Sequence, residues 1–250
     1  MSHTGPEPSE GREWFRGLQR QILDPCVAAT DRFLESDSGC AQQVDRLGRV
    51  LSLLDRLSSC YWGCHKGDHL KEYLLGRACT STSAAWLLVR NGHYDAALGI
   101  ARDVGEIANL FTLFSADSAA FEDWRNSDDR TRMNKFKPSS VRATLEKLNF
   151  PVPIGRDIYK MLSERSTHVT PSTRPELHSN LDHPLAGGSF QEDGVRVSLA
   201  QIGFAIAMTA LAATCLLRPL VTQETAIDTA ALALIESIKA KNPTEGGGER

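Results

Sequence analysis

The sequence predicts an all-α, single-domain, multi-helix bundle, on three observations. Hydrophobic residues make up 41% of 250 positions, enough to bury one substantial core without help from disulfides or metal. Apolar side chains recur at helical spacing along most of the chain, as in Val44, Leu47, Leu51, Leu54 and Leu57. No segment of useful length alternates apolar and polar residues as a half-buried strand does. The bundle is expected to occupy residues 12–241, with a loose polar leader at 1–11 and a loose tail at 242–250.

Each element has a local reason. Trp14 to Leu23 carries the first helical spacing, and Asp24 followed by Pro25 reads as the N-cap and first position of a second helix running towards Leu34. Residues 41–62, "AQQVDRLGRVLSLLDRLSSCYW", hold the stripe just named. Segments 69–90 and 91–114 meet at Asn91 and Gly92, a tight turn, so two antiparallel helices should pack through the small residues of "GRACTSTSAA". That turn resembles one from a tetratricopeptide hairpin, with Gly92, Tyr94 and Ala97 in place, but no repeat of about 34 residues follows it. Pro138 with Ser139 and Ser140 opens another helix, and residues 155–166 form a short one. The span 167–196 holds three prolines and three glycines and predicts a long irregular loop, in which "EDG" turns a tiny β-hairpin between Phe190 and Val195. Helices at 197–217 and 224–239 close the bundle.

Charge and cysteine usage narrow the class. A net charge of −3 excludes a surface that is basic all over. The six cysteines, at 26, 40, 60, 64, 79 and 215, form no CxxC pair, and the polar opening lacks a secretory pattern. Reduced thiols in the cytoplasm are therefore expected. Val197 to Leu217 contains no charged residue, but its alanines, Ser198, Gln201, Thr209 and Thr214 favour a core helix over a membrane span, with Gly203 and Ala207 suited to close helix contact.

Three clusters could carry chemistry. On the short helix Ile158, Met161 and Leu162 mark an inward face, and Arg165 falls on the same side with His168 just beyond. An inward guanidinium needs a carboxylate, carbonyls or an anionic ligand; the plainer alternative has Arg165 complementing the helix dipole and His168 satisfying loop carbonyls. Arg174, His178 and His183 are near enough in sequence to join an anion site. Arg102, Glu106 and Asn109 share a second face, roughly opposite the stripe of Ile100, Val104, Ile107, Phe111 and Phe114, so a solvated face is the simpler expectation. Leu110 and Leu113 beside the trio point instead to a cover. The third cluster is His65 and His69, at the spacing by which a helix presents two imidazoles to one metal, with Cys60, Cys64 and Asp68 nearby. Gly67 interrupts that helix, and the expectation is no bound metal. The segment 125–147 carries seven basic against three acidic residues; it could track a phosphate backbone with Trp124 and Phe136 stacking on bases, though a solvated connection is the commoner outcome.

The motifs "YWGCHKGDHLKEYLLGR", "NGHYDAALGIARDVGEIANL", "FKPSSVR" and "YKMLSERSTHVTP" resemble those of an all-helical bacterial family of unknown function. That resemblance covers about residues 60–195; it implies a helical fold and places emphasis on Arg102, Glu106, Asn109, Tyr159, Ser163 and His168. More remotely, a helical bundle with an Arg near a His resembles the HEPN superfamily, whose members often dimerise and cut RNA without metal. That family separates its Arg and His by more residues than the two between Arg165 and His168 or the three between Arg174 and His178. The likeness implies His168 as general acid or base, Arg165 or Arg174 stabilising phosphate charge, and Glu106 orienting the histidine.

The expectation is thus a cytoplasmic, self-associating interaction or regulatory protein with a polar pocket for an anionic ligand and no cofactor. Arg102, Asn109, Tyr159, Ser163, Arg174 and His178 would bind the ligand, which could be a nucleotide or RNA. No membrane partner is expected. The alternatives are a metal-independent ribonuclease using His168, Arg165 and Glu106, and a metal-dependent hydrolase built on His65 and His69.

Overall fold

The computed structural model describes residues 11–63, 67–166 and 187–240. Its elements are α1 (Arg12–Leu18), a π-helical turn (Gln19–Leu23), α2 (Asp24–Ser36), α3 (Ser38–Ser58), α4 (Leu70–Arg90), α5 (Tyr94–Ala116), α6 (Ser118–Asn126), α7 (Asp129–Lys135), α8 (Pro138–Lys147), α9 (Arg156–Ser166), α10 (Glu192–Leu217) and α11 (Val221–Lys239). No strand occurs among the described residues, and the fold is the all-α bundle expected.

At the centre α10 lies along α5, and both pack on α4; α10 also meets α3 and α11. Its length and apolar content would suffice to cross a membrane. Here Leu199, Ile202, Ala205, Ile206, Ala207, Ala210 and Ala213 are each buried to within 1% of complete. The small face works as expected, because a Cβ on Gly203 would touch Ile238 Cδ1 of α11 at 3.2 Å. Around it α3 buries Leu47, Val50, Leu53, Leu54 and Leu57, so its inward stripe is turned slightly from the one predicted, leaving Val44 and Leu51 half-buried.

Capping explains several boundaries. Asp37 accepts from the Gly39 and Cys40 amides at the start of α3, Asp117 caps α6 and Asp128 caps α7, each satisfying amides that have no partner within the helix. Between α4 and α5 the turn is the one predicted. Gly92 adopts φ +77°, where a Cβ would also lie 2.4 Å from the Ser189 backbone nitrogen, so only glycine fits.

Two expectations change, and so does the alternative in which Trp124 and Phe136 stack on bases. No helix boundary falls between Leu23 and Asp24: the π-helical turn carries the chain from α1 into α2, and the Asp24 amide reaches back to the Gln19 carbonyl. Widening the helix there accommodates Pro25, which has no amide to donate. The β-hairpin between Phe190 and Val195 is absent, because α10 already begins at Glu192 and places Glu192 and Asp193 in its first turn, where acidic side chains complement the helix dipole. Helix thus replaces the last five residues of the predicted loop, and residues 167–186 of it lie outside the described residues. Finally, the aromatics proposed to stack on bases serve the fold: Phe136 is buried, and Trp124 packs 5.6 Å from Phe114 and 6.4 Å from Phe121. The basic segment is further neutralised by Arg125 with Asp68, Arg132 with Asp129 and Lys135 with Asp123.

Candidate functional site

A polar cluster forms where α8 and α9 cover α5. The covering is made possible at Gly105, whose absent Cβ would lie 2.5 Å from Ile154 Cγ1. One turn further on, Asn109 fastens the incoming strand of chain. Its amide donates to the Ile154 carbonyl (3.1 Å) and its oxygen accepts from the Ile154 amide (2.9 Å). Ile154 is 1% and Asn109 2% exposed, so the side chain satisfies a buried backbone pair that would otherwise be orphaned. The chain then enters α9, whose Leu162 and Ser163 face inward with Tyr159 beside them.

Arg102, Glu106 and Tyr159 form a closed triangle. Arg102 Nη2 donates to Glu106 Oε1 at 2.9 Å and to the Tyr159 hydroxyl at 2.6 Å. The same hydroxyl donates to Glu106 Oε1 at 3.1 Å. Side chains of Arg102 and Glu106 are only 19% and 28% exposed. The face expected to be solvated is therefore covered, as Leu110 and Leu113 hinted.

Burial sets the electrostatics. It pushes the Glu106 carboxyl above its ordinary value, with Arg102 and the Tyr159 hydrogen bond pulling in the opposite direction. Tyr159 is likewise raised, first by burial and then by the Glu106 charge. For Arg102 burial opposes the charge, but Tyr159 and Glu106 more than offset it and hold the guanidinium charged.

A fourth residue completes the cluster. Arg142, from the buried side of α8, is 9% exposed, and its guanidinium carbon sits 4.3 Å from the Tyr159 ring centroid, with that of Arg102 at 4.8 Å. Both are within cation–π range. The Arg142 Nη1 atom is buried and has no hydrogen-bond acceptor among the described residues. Two guanidinium groups thus converge on one phenol, and one of them, Arg102, also holds a reluctant carboxylate.

The remaining candidates are placed as follows. Ser163 donates to the Tyr159 carbonyl at 2.7 Å, a bond within its own helix. Arg165 is half-buried at the flank of the inward face and makes no hydrogen bond or ion pair with a described residue; the guanidinium beside Glu106 belongs to Arg102. His168, Arg174, His178 and His183 lie outside the described residues, as does His65. His69 is not inside a helix: it precedes α4 in a left-handed conformation, φ 56°, which removes the helical register that paired it with His65. Sequence reasoning missed Arg142 by counting it among the solvated charges, although it adjoins Val141 and stands three residues before Leu145, both fully inward.

Comparisons of the chain with protein-family models, with curated proteins and with solved structures find no match.

Proposed function

We propose that the protein is a noncatalytic interaction or regulatory module that binds a phosphate-bearing anion at the Arg102, Glu106, Arg142 and Tyr159 cluster. The observation that carries this reading is Arg142: a nine-tenths buried guanidinium whose Nη1 has no acceptor among the described residues. Burying such a donor unmet is costly, and an anion is the partner that meets it. Arginine suits phosphate because its fork offers parallel donors. Arg102, already anchored by Glu106 and Tyr159, adds a second positive charge in fixed position, while a raised Glu106 carboxyl opposes the anion less than an ordinary one would.

Calorimetric titration of the full chain with inorganic phosphate and with adenosine monophosphate tests this. One equivalent should bind, and Arg142→Met should weaken it at least about 10-fold, the loss of one charge-assisted hydrogen bond. Absence of binding, or equal affinity in the variant, would overturn the proposal. A parallel incubation with mixed RNA should leave it intact; cleavage abolished by His168→Ala would replace the binding role with a ribonuclease.

A further inference from the structure

A separate set of donors gathers at the far end of the α4/α5 pair from the Asn91 and Gly92 turn. The chain leaves α3, passes Cys60, and re-enters helix at His69, both residues holding left-handed backbones at φ 57° and 56°. Glu72, in the first turn of α4, completes the group. Cys60 Sγ lies 3.5 Å from His69 Nδ1, His69 Nδ1 lies 3.6 Å from Glu72 Oε1, and all three ligand atoms fall within 4.8 Å of one another.

The two separations that meet at His69 Nδ1, 3.5 and 3.6 Å, match a known coordination geometry, and the third lies within 4.8 Å. Zinc bonds of about 2.3 Å to sulfur and about 2.0–2.2 Å to nitrogen and oxygen give tetrahedral edges of about 3.3–3.6 Å. A hydrogen-bonded network would explain the group less well, because of Glu72. That residue is 5% exposed, and no described donor hydrogen-bonds its carboxylate; the His69 imidazole stands 3.6 Å away. A carboxylate so deeply placed needs a positive charge beside it.

We propose that Cys60, His69 and Glu72 hold a zinc ion. The thiol gives up its proton to solvent on binding, the imidazole contributes the Nδ1 lone pair, and thiolate and carboxylate together balance the two charges of the metal. Sulfur, nitrogen and oxygen donors in a tetrahedral arrangement favour zinc over magnesium or calcium. Three protein ligands leave a fourth position, and a cavity of about 310 Å³ lined by His69, Glu72, Asp68, Lys71 and Arg125 adjoins the group. Its lining is mixed in charge, with Arg125 already paired to Asp68, and suits a water ligand on the metal.

The test uses tag-free full chain, stripped with chelator and titrated with zinc and with cobalt(II). One metal per chain is expected, with a sulfur-to-cobalt charge-transfer band and tetrahedral d–d absorption. Cys60→Ser should abolish that band, and Glu72→Gln should weaken binding by about 10–100-fold. Cys215→Ser, at an exposed thiol on α10, should change neither. A Cys64→Ser/His65→Ala double variant separates the neighbouring donors. Retained binding supports the proposal, and loss of all metal there with none lost in Cys60→Ser or Glu72→Gln overturns it. Should a variant fail to fold by circular dichroism, the cobalt spectrum of the double variant decides: a sulfur band supports the site, and its absence contradicts it.

Discussion

The guanidinium of Arg142, on α8, lies 4.3 Å from the ring of Tyr159, on α9. Neither helix could make this contact alone, and α5 supplies the floor on which both rest. The consequence is a charged donor held in place by packing on an aromatic face, with one nitrogen left to find its acceptor.

Replacing Arg142 by Met keeps much of the volume and removes the charge. Stability by urea denaturation should stay within about 1 kcal/mol of wild type or rise, since a buried charge with no ion-pair partner among the described residues contributes little to folding, whereas phosphate affinity should fall. A loss above about 3 kcal/mol would instead mark Arg142 as structural.

Tyr159→Phe retains the ring under both arginines and removes the hydroxyl shared by Arg102 and Glu106. Folding stability should drop by about 1–2 kcal/mol, read from the same denaturation curves. An unchanged midpoint would mean that the triangle contributes nothing net.

The Glu106 carboxyl is raised above its ordinary value in the folded chain, so the folded state holds this proton more tightly than the unfolded one. Its contribution is complete below the ordinary carboxylate pKa and is lost as pH rises through the higher folded value. Wild type should therefore lose stability relative to Glu106→Gln as pH rises from about 4 towards neutrality. Melting both proteins across that range checks the sign, and a constant or opposite difference contradicts it.

Asn109→Ala should cost about 2–4 kcal/mol, because it strands the buried amide and carbonyl of Ile154. Gly105→Ala should cost about 1–3 kcal/mol by forcing Ile154 away from α5. Both substitutions act on the support of the cluster, so phosphate affinity should fall together with the melting temperature.

Much of this architecture was legible in the residues. Asn91 and Gly92 announced the α4/α5 turn because their chemistry is local, and the uncharged run ending at Leu217 announced the central helix. The start of that helix was misplaced because apolar content was read as its beginning, when Glu192 and Asp193 at the N-terminus were the better signal. At the site, the Arg102 and Glu106 pairing follows from helix geometry. The share taken by Tyr159, 53 residues beyond Glu106, is set by how α9 docks and has no local signature. Arg165 was expected inward on its spacing from Ile158, but Ile158 is itself only half-buried, and the face that docks runs through Tyr159, Leu162 and Ser163.

The most direct test is a crystal structure of the protein soaked with tungstate, a phosphate analogue that scatters anomalously. The expected result is one strong peak whose oxygens stand about 3 Å from Arg142 Nη1, lost in crystals of Arg142→Met. A map with no peak beside Tyr159, or with peaks only elsewhere on the bundle, would contradict the anion site.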